Sequence, residues 1–404
     1  AAVAFLTATI LLLFSTTAFT QHHFNPNTLA ITHTMALGWG TMIILGASHQ
    51  LVPVLIEARL YSEKLAYLSF VLTGIGIPLL VYSFFTFRFD VIAHSGTILI
   101  NAGIIIYLIN LALSILKSKN ENVHAIFVFT AAAWLLVTTL IGLLLICNFT
   151  KSILPEASLH YLSLHAHLGI VGWFLLTVMG VASRLIPMFL ISKYDNPKLL
   201  WLIYYLVNMA LILFAVVFFT NPNEGLYLVP VATIFIAIIL FIIFCSRAYK
   251  VRIRRHVDEQ MKISMLSIIM MILPVIILVL LIVLLMISYA NTKLVLAYGF
   301  SVFFGWLTTI ILGMTFKTLP FIVWNKRYHD KAVSGVTPNP KDLFSAAIFK
   351  GMGVCYLSGF VFFAAGILLE NIFILKTATV FLLLTAILYN WNIVKMLFYK
   401  PVIK

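Results

Sequence analysis

HTMALGWGTMIILGASHQLVP (His33–Pro53), HLGIVGWFLLTVMGVASRLIP (His167–Pro187) and FSVFFGWLTTIILGMTFKTLP (Phe300–Pro320) align without a gap. Each carries Gly-Trp at the same offset: Gly38-Trp39, Gly172-Trp173 and Gly305-Trp306. Each then has a glycine (Gly46, Gly180, Gly313) and closes on a proline (Pro53, Pro187, Pro320). Identity at four positions in three ungapped segments marks an internal repeat. All three copies are apolar over a spanning length, so the repeated unit is built around a membrane helix.

Working outward from these copies, apolar runs of similar length fill the rest of the chain. Of its 404 residues 63% are hydrophobic and 9% charged, and the mean hydropathy is +1.10. That composition excludes a soluble domain. The 20-residue criterion gives about twelve spans. The first of them, AAVAFLTATILLLFSTTAF, reads as a membrane helix rather than a signal peptide. The repeats begin the second, sixth and tenth spans. The chain is therefore expected to be one membrane domain, 1–404, made of three four-helix units at roughly 1–124, 125–262 and 263–404. An even number of crossings per unit makes the units parallel, related by an axis along the membrane normal. The expected fold is an all-α integral membrane protein, its helices in a pseudo-threefold ring.

The net charge of +14 follows the loops. Arg59, Lys64, Lys117, Lys119, Lys193 and Lys198 follow even-numbered spans, as do the run Arg247–Lys262 and then Lys326, Arg327, Lys331 and Lys341; Lys395, Lys400 and Lys404 follow the last. This asymmetry puts both termini in the cytoplasm, the chain in a cytoplasmic (inner) membrane, and leaves no basic surface needing a nucleic-acid partner. Cys147, Cys245 and Cys355 form no CxxC pair, so neither a disulfide framework nor a zinc site is expected.

Histidine is the residue type that the bilayer does not explain. By this topology His33, His94, His160, His165 and His167 collect in the outer half, and His49 lies in the inner half of the second span. His22, His23, His124, His256 and His329 read as solvated loop residues. A buried imidazole with unsatisfied nitrogens costs a few kcal/mol, so an intramembrane histidine reads first as functional. A haem iron, another metal, or a hydrogen-bonded structural or relay role would each satisfy it. His165 and His167, two apart, point about 200° away from each other on a helix. They cannot hold one ion on one face but can serve sites on opposite sides. His49 lies about 160° around the helix from His33 and serves a different environment. The first repeat position is His33, His167 and Phe300. Retention of imidazole in two units suggests a bridge between neighbouring helices, His33 to His167. Gly38, Gly46, Gly172 and Gly180 let backbones or a flat cofactor approach closely, and Trp39 and Trp173 pack beside them. Gln50, Arg184 and Lys317 share a repeat position near the inner ends and are expected to snorkel.

The second span, with His33, Gly38-Trp39 and Gly46-Ala47-Ser48-His49-Gln50-Leu51-Val52-Pro53, resembles the second helix of the haem–copper oxidase superfamily, closest to its nitric oxide reductase and cbb-type branch. His165-Ala166-His167-Leu168, with Gly172 and Pro187, is similar to that family's His-x-His helix. The chain is also similar to the divergent NnrS-like haem proteins. The resemblance implies one or two non-covalent b-type haems, with His33, His167 and His165 as iron ligands, and His49 as a further metal candidate. It implies electron transfer to, or binding of, a diatomic gas, nitric oxide before oxygen, and so a nitric oxide reductase-like or oxidase-like oxidoreductase. No CxxCH motif is present, so electrons would come from quinol or a partner cytochrome, and other respiratory-complex subunits are expected partners. The sequence also departs from the family. Its His-x-His lies on the sixth span rather than the tenth, the tenth has Tyr298-Gly299-Phe300 in its place, and spans seven to twelve hold no intramembrane histidine. A second metal, copper or iron, would lack the usual three histidines. The rival readings are a twelve-helix secondary transporter and a cofactor-free accessory subunit of a respiratory complex.

Overall fold

The computed structural model describes residues 1–57, 59–118, 122–220, 223–329 and 337–399; of the basic loop residues, Lys119, Lys331, Lys400 and Lys404 lie outside the described residues. Among the described residues eleven helices are long and apolar enough to cross a membrane, and no strand occurs. They are α2 (Pro26–Ile56), α3 (Glu63–Thr86), α4 (Val91–Leu116), α5 (Val123–Lys151), α6 (Leu162–Leu190), α7 (Pro197–Thr220), α8 (Glu224–Lys250), α9 (Glu259–Met286), α10 (Thr292–Tyr328), α11 (Ala346–Leu369) and α12 (Ile372–Leu397). The expected first span is a shorter apolar helix, α1 (Ala2–Phe14). The protein is an all-α, multi-span membrane protein.

Short polar side chains set the helix starts. Asn25, Ser62, Asp90, Asn122, Asn291 and Asn371 each accept a hydrogen bond from a backbone N–H of the first turn, satisfying donors that the helix cannot. Pro26 follows Asn25 at the position where a missing N–H costs nothing.

The three repeat copies fall on α2, α6 and α10, and these are the interior helices. The buried share of their most apolar window is 50%, 78% and 72%, against at most 44% for the other eight spans. All three change winding at the same register: Thr34–Thr41, Leu168–Leu175 and Ser301–Leu307 are π-helical. A π turn carries one extra residue and recurs at functional positions in helices. Pro53, Pro187 and Pro320 lie inside their helices rather than ending them.

The Gly-Trp tryptophans are buried, and two of the three are hydrogen-bonded from one copy to another. Trp39 Nε1 donates to Thr308 Oγ1 at 3.2 Å, and Trp173 Nε1 donates to Thr41 Oγ1 at 3.0 Å. Thr41 and Thr308 occupy the same repeat position, two residues after the tryptophan. In α6 that position is Leu175, and Trp306 Nε1 is buried with no partner among the described residues. Around these three helices, α3 packs on α4, α7 on α8 and α11 on α12; α4 also packs on α5, α8 on α9, and α12 on α1.

Three of the repeat glycines sit at close helix contacts. A Cβ on Gly38 would stand 2.9 Å from Ala4 Cβ, on Gly172 2.7 Å from Trp134 Cβ, and on Gly180 2.4 Å from Phe127 Cβ. Gly46 has open space around it. One charge expectation also changes: Lys317 is 6% exposed and paired with Asp258, whereas Arg184 is exposed, as expected, and pairs with Glu57 at 3.3 Å. His124 is buried, with Nδ1 2.7 Å from Ser183 Oγ, rather than solvated.

Candidate functional site

Two cavities flank the histidine-bearing end of α6, one on each side. The first, of about 180 Å³, lies between α2, α3, α4, α5 and α6, and is lined by His33, His165, Gly142, Gly169, Thr138 and Trp173, among others. The second, of about 340 Å³, lies between α6, α7, α8, α9 and α10, and His167, Tyr298 and Trp306 border it. His-Ala-His thus faces both ways, as residues two apart on a helix must.

The pairing across the first cavity differs from the expected one. His33 stands opposite His165, not His167, with ring centres 6.4 Å apart and planes 23° apart. The reason is rotational. The side of α6 that looks at α2 carries His165, and the turn of about 200° sends His167 towards α10.

Each ring is held from behind. His33 Nδ1 lies 2.8 Å from Leu29 O, and His165 Nδ1 lies 3.0 Å from Thr138 O. A carbonyl can only accept, so Nδ1 carries the proton in both and each Nε2 keeps a free lone pair. Phe84 stacks on His33 at 4.2 Å and fixes its plane. Gly142 leaves the space His165 needs, because a Cβ there would stand 3.1 Å from the ring's Cε1. These partners orient the imidazoles as backbone carbonyls orient metal-binding histidines elsewhere.

The separation suits a metal between the rings. A metal–nitrogen bond of about 2.0 Å at each end, with about 1.1 Å from nitrogen to ring centre, puts two trans imidazoles about 6.2 Å apart. No Lys, Arg, Asp or Glu lines this cavity. A macrocycle that spreads its charge over a wide ring and buries its faces in apolar side chains therefore suits it better than a bare ion.

In the second cavity the same repeat positions bear a different pair. His167 stands where His33 does, and Tyr298 where His165 does, with ring centres 5.7 Å apart. His167 Nδ1 lies 2.7 Å from Ser163 O, and its Nε2 is buried without a partner. The third such pair is Phe300 and Ile31, both buried. Phe300 is packed into a stack with Phe304, Phe360 and Phe363, at 5.1, 5.5 and 4.5 Å. The three positions therefore read His/His, His/Tyr and Phe/Ile.

Of the other expected site residues, Trp173 borders the first cavity, while Trp39 stacks on Phe5 at 4.7 Å. His49 lies edge-on to Tyr107 at 5.7 Å, with its Nε2 unpartnered. His94 Nδ1 bonds Asp90 O at 2.8 Å, and His160 packs on Phe218 at 5.3 Å. Among the described residues no three His, Cys, Asp or Glu side chains come close enough to hold an ion together. Tyr298, Thr138, Gly142 and Ser163 were not singled out from the sequence as site residues. The signal for Tyr298 was present, since it is the repeat equivalent of His165.

No protein-family model matches the chain, and no curated protein matches it at a significant level.

Proposed function

We propose that this is a membrane b-type haem protein in which His33 and His165 would hold the haem iron through their Nε2 atoms. The observation that carries the reading is the 6.4 Å spacing of two imidazoles whose Nδ1 atoms are both committed to backbone carbonyls. A haem bound there supplies a one-electron Fe(III)/Fe(II) couple. The chain's own part is to present two neutral Nε2 lone pairs, hold the rings with Leu29 O, Thr138 O and Phe84, and keep charged side chains away from the ring faces. The low local polarity favours the form of lower net charge and so raises the reduction potential.

The redox role extends to electron transfer towards a diatomic gas, nitric oxide before oxygen, with quinol or a partner cytochrome as donor. The helices would stand in a cytoplasmic membrane with both chain ends on its cytoplasmic side, as the basic loops require. The pseudo-threefold ring is supported by the contact of α12 with α1, by the shared π register, and by two tryptophan bonds that run in one rotational sense.

The test is the reduced-minus-oxidised spectrum of the purified protein with pyridine haemochrome quantification. The expected result is at least one b-type haem per chain with a sharp low-spin α band. Protein produced with ample haem that carries none would defeat the reading.

A further inference from the structure

The second cavity is a blind groove that opens at one end of the bundle. Its exposed members, Ser163, Glu224 and Leu285, lie at the start of α6, the start of α8 and the end of α9. Its deepest members, Leu175, Ile238, Met271 and Trp306, are each at most 3% exposed.

The lining runs lengthwise. On α8 it is Tyr227, Val231, Ile234 and Ile238, and on α9 Met271, Val275, Leu278, Ile282 and Leu285. Steps of three and four residues keep one face of each helix turned to the space. At 1.5 Å per residue the two rows are roughly 16 and 21 Å long. One leaflet contributes about 15 Å of hydrocarbon, half of a core of about 30 Å. The groove therefore has the length of one lipid chain lying along the bilayer normal. The break in α9 sets its floor. That helix is interrupted at Met271, between Glu259–Met270 and Ile272–Met286. Pro274, in the first turn of the second segment, has no N–H to bond back to Met270 and so fixes the break there. The groove lies between this second segment and α10.

The wall changes character with depth. Near the mouth a collar of rings crosses it: Tyr227 lies 5.8 Å from Phe214, Phe214 5.0 Å from His167, and His167 5.7 Å from Tyr298. From the collar to the blind end the lining is apolar, and aliphatic but for Trp306. A hydrocarbon chain can enter that part, and a charged head cannot follow it.

Charge at the mouth selects the head. Glu224 is the one Asp or Glu in the lining, and no Lys or Arg borders the cavity. Glu370 is neutralised by Lys293 at 3.2 Å, but Glu224 has no ion-pair partner among the described residues. A phosphate head without an amine would meet a carboxylate and no cation. A head that carries a primary ammonium gives Glu224 a charge-assisted hydrogen bond.

The geometry points to a binding site for a phospholipid with a primary-amine head, one acyl chain filling the groove and the ammonium donating to Glu224. The site is separate from the pair His33 and His165, and does not depend on what they hold.

The experiment is titration of the delipidated full chain in detergent with phosphatidylethanolamine, phosphatidylcholine and phosphatidylglycerol, each carrying palmitoyl chains brominated at their ends. Bromine quenches indole fluorescence on contact, and Trp306 borders the blind end. The wild type should show saturable quenching at one lipid per chain. Phosphatidylethanolamine should bind about ten-fold more tightly than phosphatidylglycerol, the worth of one hydrogen bond to a charged group. Phosphatidylcholine, whose ammonium has no N–H, should fall between them. Glu224→Gln, at an exposed position, should bring the three affinities together. Trp306→Phe should remove the saturable quenching while native mass spectrometry still counts one bound lipid. No saturable binding, equal affinities in the wild type, a preference that survives Glu224→Gln, or saturable quenching that survives Trp306→Phe each overturns the assignment. Haem content measured on the same samples keeps the two readings apart, since a haem-free protein that prefers the amine head through Glu224 would remove only the haem.

Discussion

Replacing His165 by alanine separates the pairing in the structure from the one expected from the repeat alone. The substitution removes an imidazole whose centre lies 6.4 Å from that of His33. The volume freed is about 65 Å³, room for two waters at about 30 Å³ each. A haem held by His33 alone would then take water or nothing at its sixth position and become high-spin. The assay is the near-complete conversion of the sharp low-spin α band, followed by optical and magnetic circular dichroism spectra, with haem stoichiometry as control. His33→Ala should do the same from the other side, and the double variant should lose the haem. His167→Ala should leave the low-spin band at full amplitude, because that ring faces Tyr298 across the other cavity. If His167→Ala destroys the band and His165→Ala keeps it, the bridge runs from His33 to His167 and the rotational argument fails.

Other expectations concern stability. Thr41→Val and Thr308→Val each strip the acceptor from a buried indole N–H and should cost about 1–3 kcal/mol, read as a lower unfolding midpoint in detergent; no change for either would deny the tryptophan bonds a structural role. Gly180→Ala places a methyl 2.4 Å from Phe127 Cβ and should cost about 1–3 kcal/mol by overpacking, whereas Gly46→Ala, with open space around it, should be close to neutral in the same assay. At the loop before α2, burial and the neighbouring His22 hold the His23 pKa below its usual value. A base with a lowered folded pKa stays neutral in the native state, so stability falls as pH drops through the ordinary histidine range. Hydrogen exchange over residues 21–27, corrected for intrinsic rates, should be faster at pH 5 than at pH 7.5; equal protection would contradict it.

Much of the fold could be read directly from three ungapped segments. Gly-Trp marked the three repeat helices, the apolar runs placed the spans, and His-Ala-His announced two separate environments. The sequence could not say which imidazole turned towards α2. That depends on the absolute rotation of α6, which packing decides: Gly172 against Trp134 and Gly180 against Phe127 seat that helix on α5. The π segments were also invisible, because angle counting assumes 3.6 residues per turn. One residue of extra winding shifts everything beyond it by roughly 100°, and His49 lies beyond the segment in α2. Lys317 failed for a different reason. A cation at a helix end normally reaches water, but Asp258 on the adjoining helix start intercepts it.

His165 and His167 are rungs of one helix, with a single alanine between them, and they look into different chambers. Any movement of α6 that improves the fit in one chamber must alter the ring position in the other. Thermodynamic linkage then runs both ways. If a molecule seated beside His167 shifts the midpoint potential at His33 and His165, the oxidation state there must change that molecule's affinity by the same factor. The one-residue spacing of the two rings would then act as a stiff lever between the two chambers.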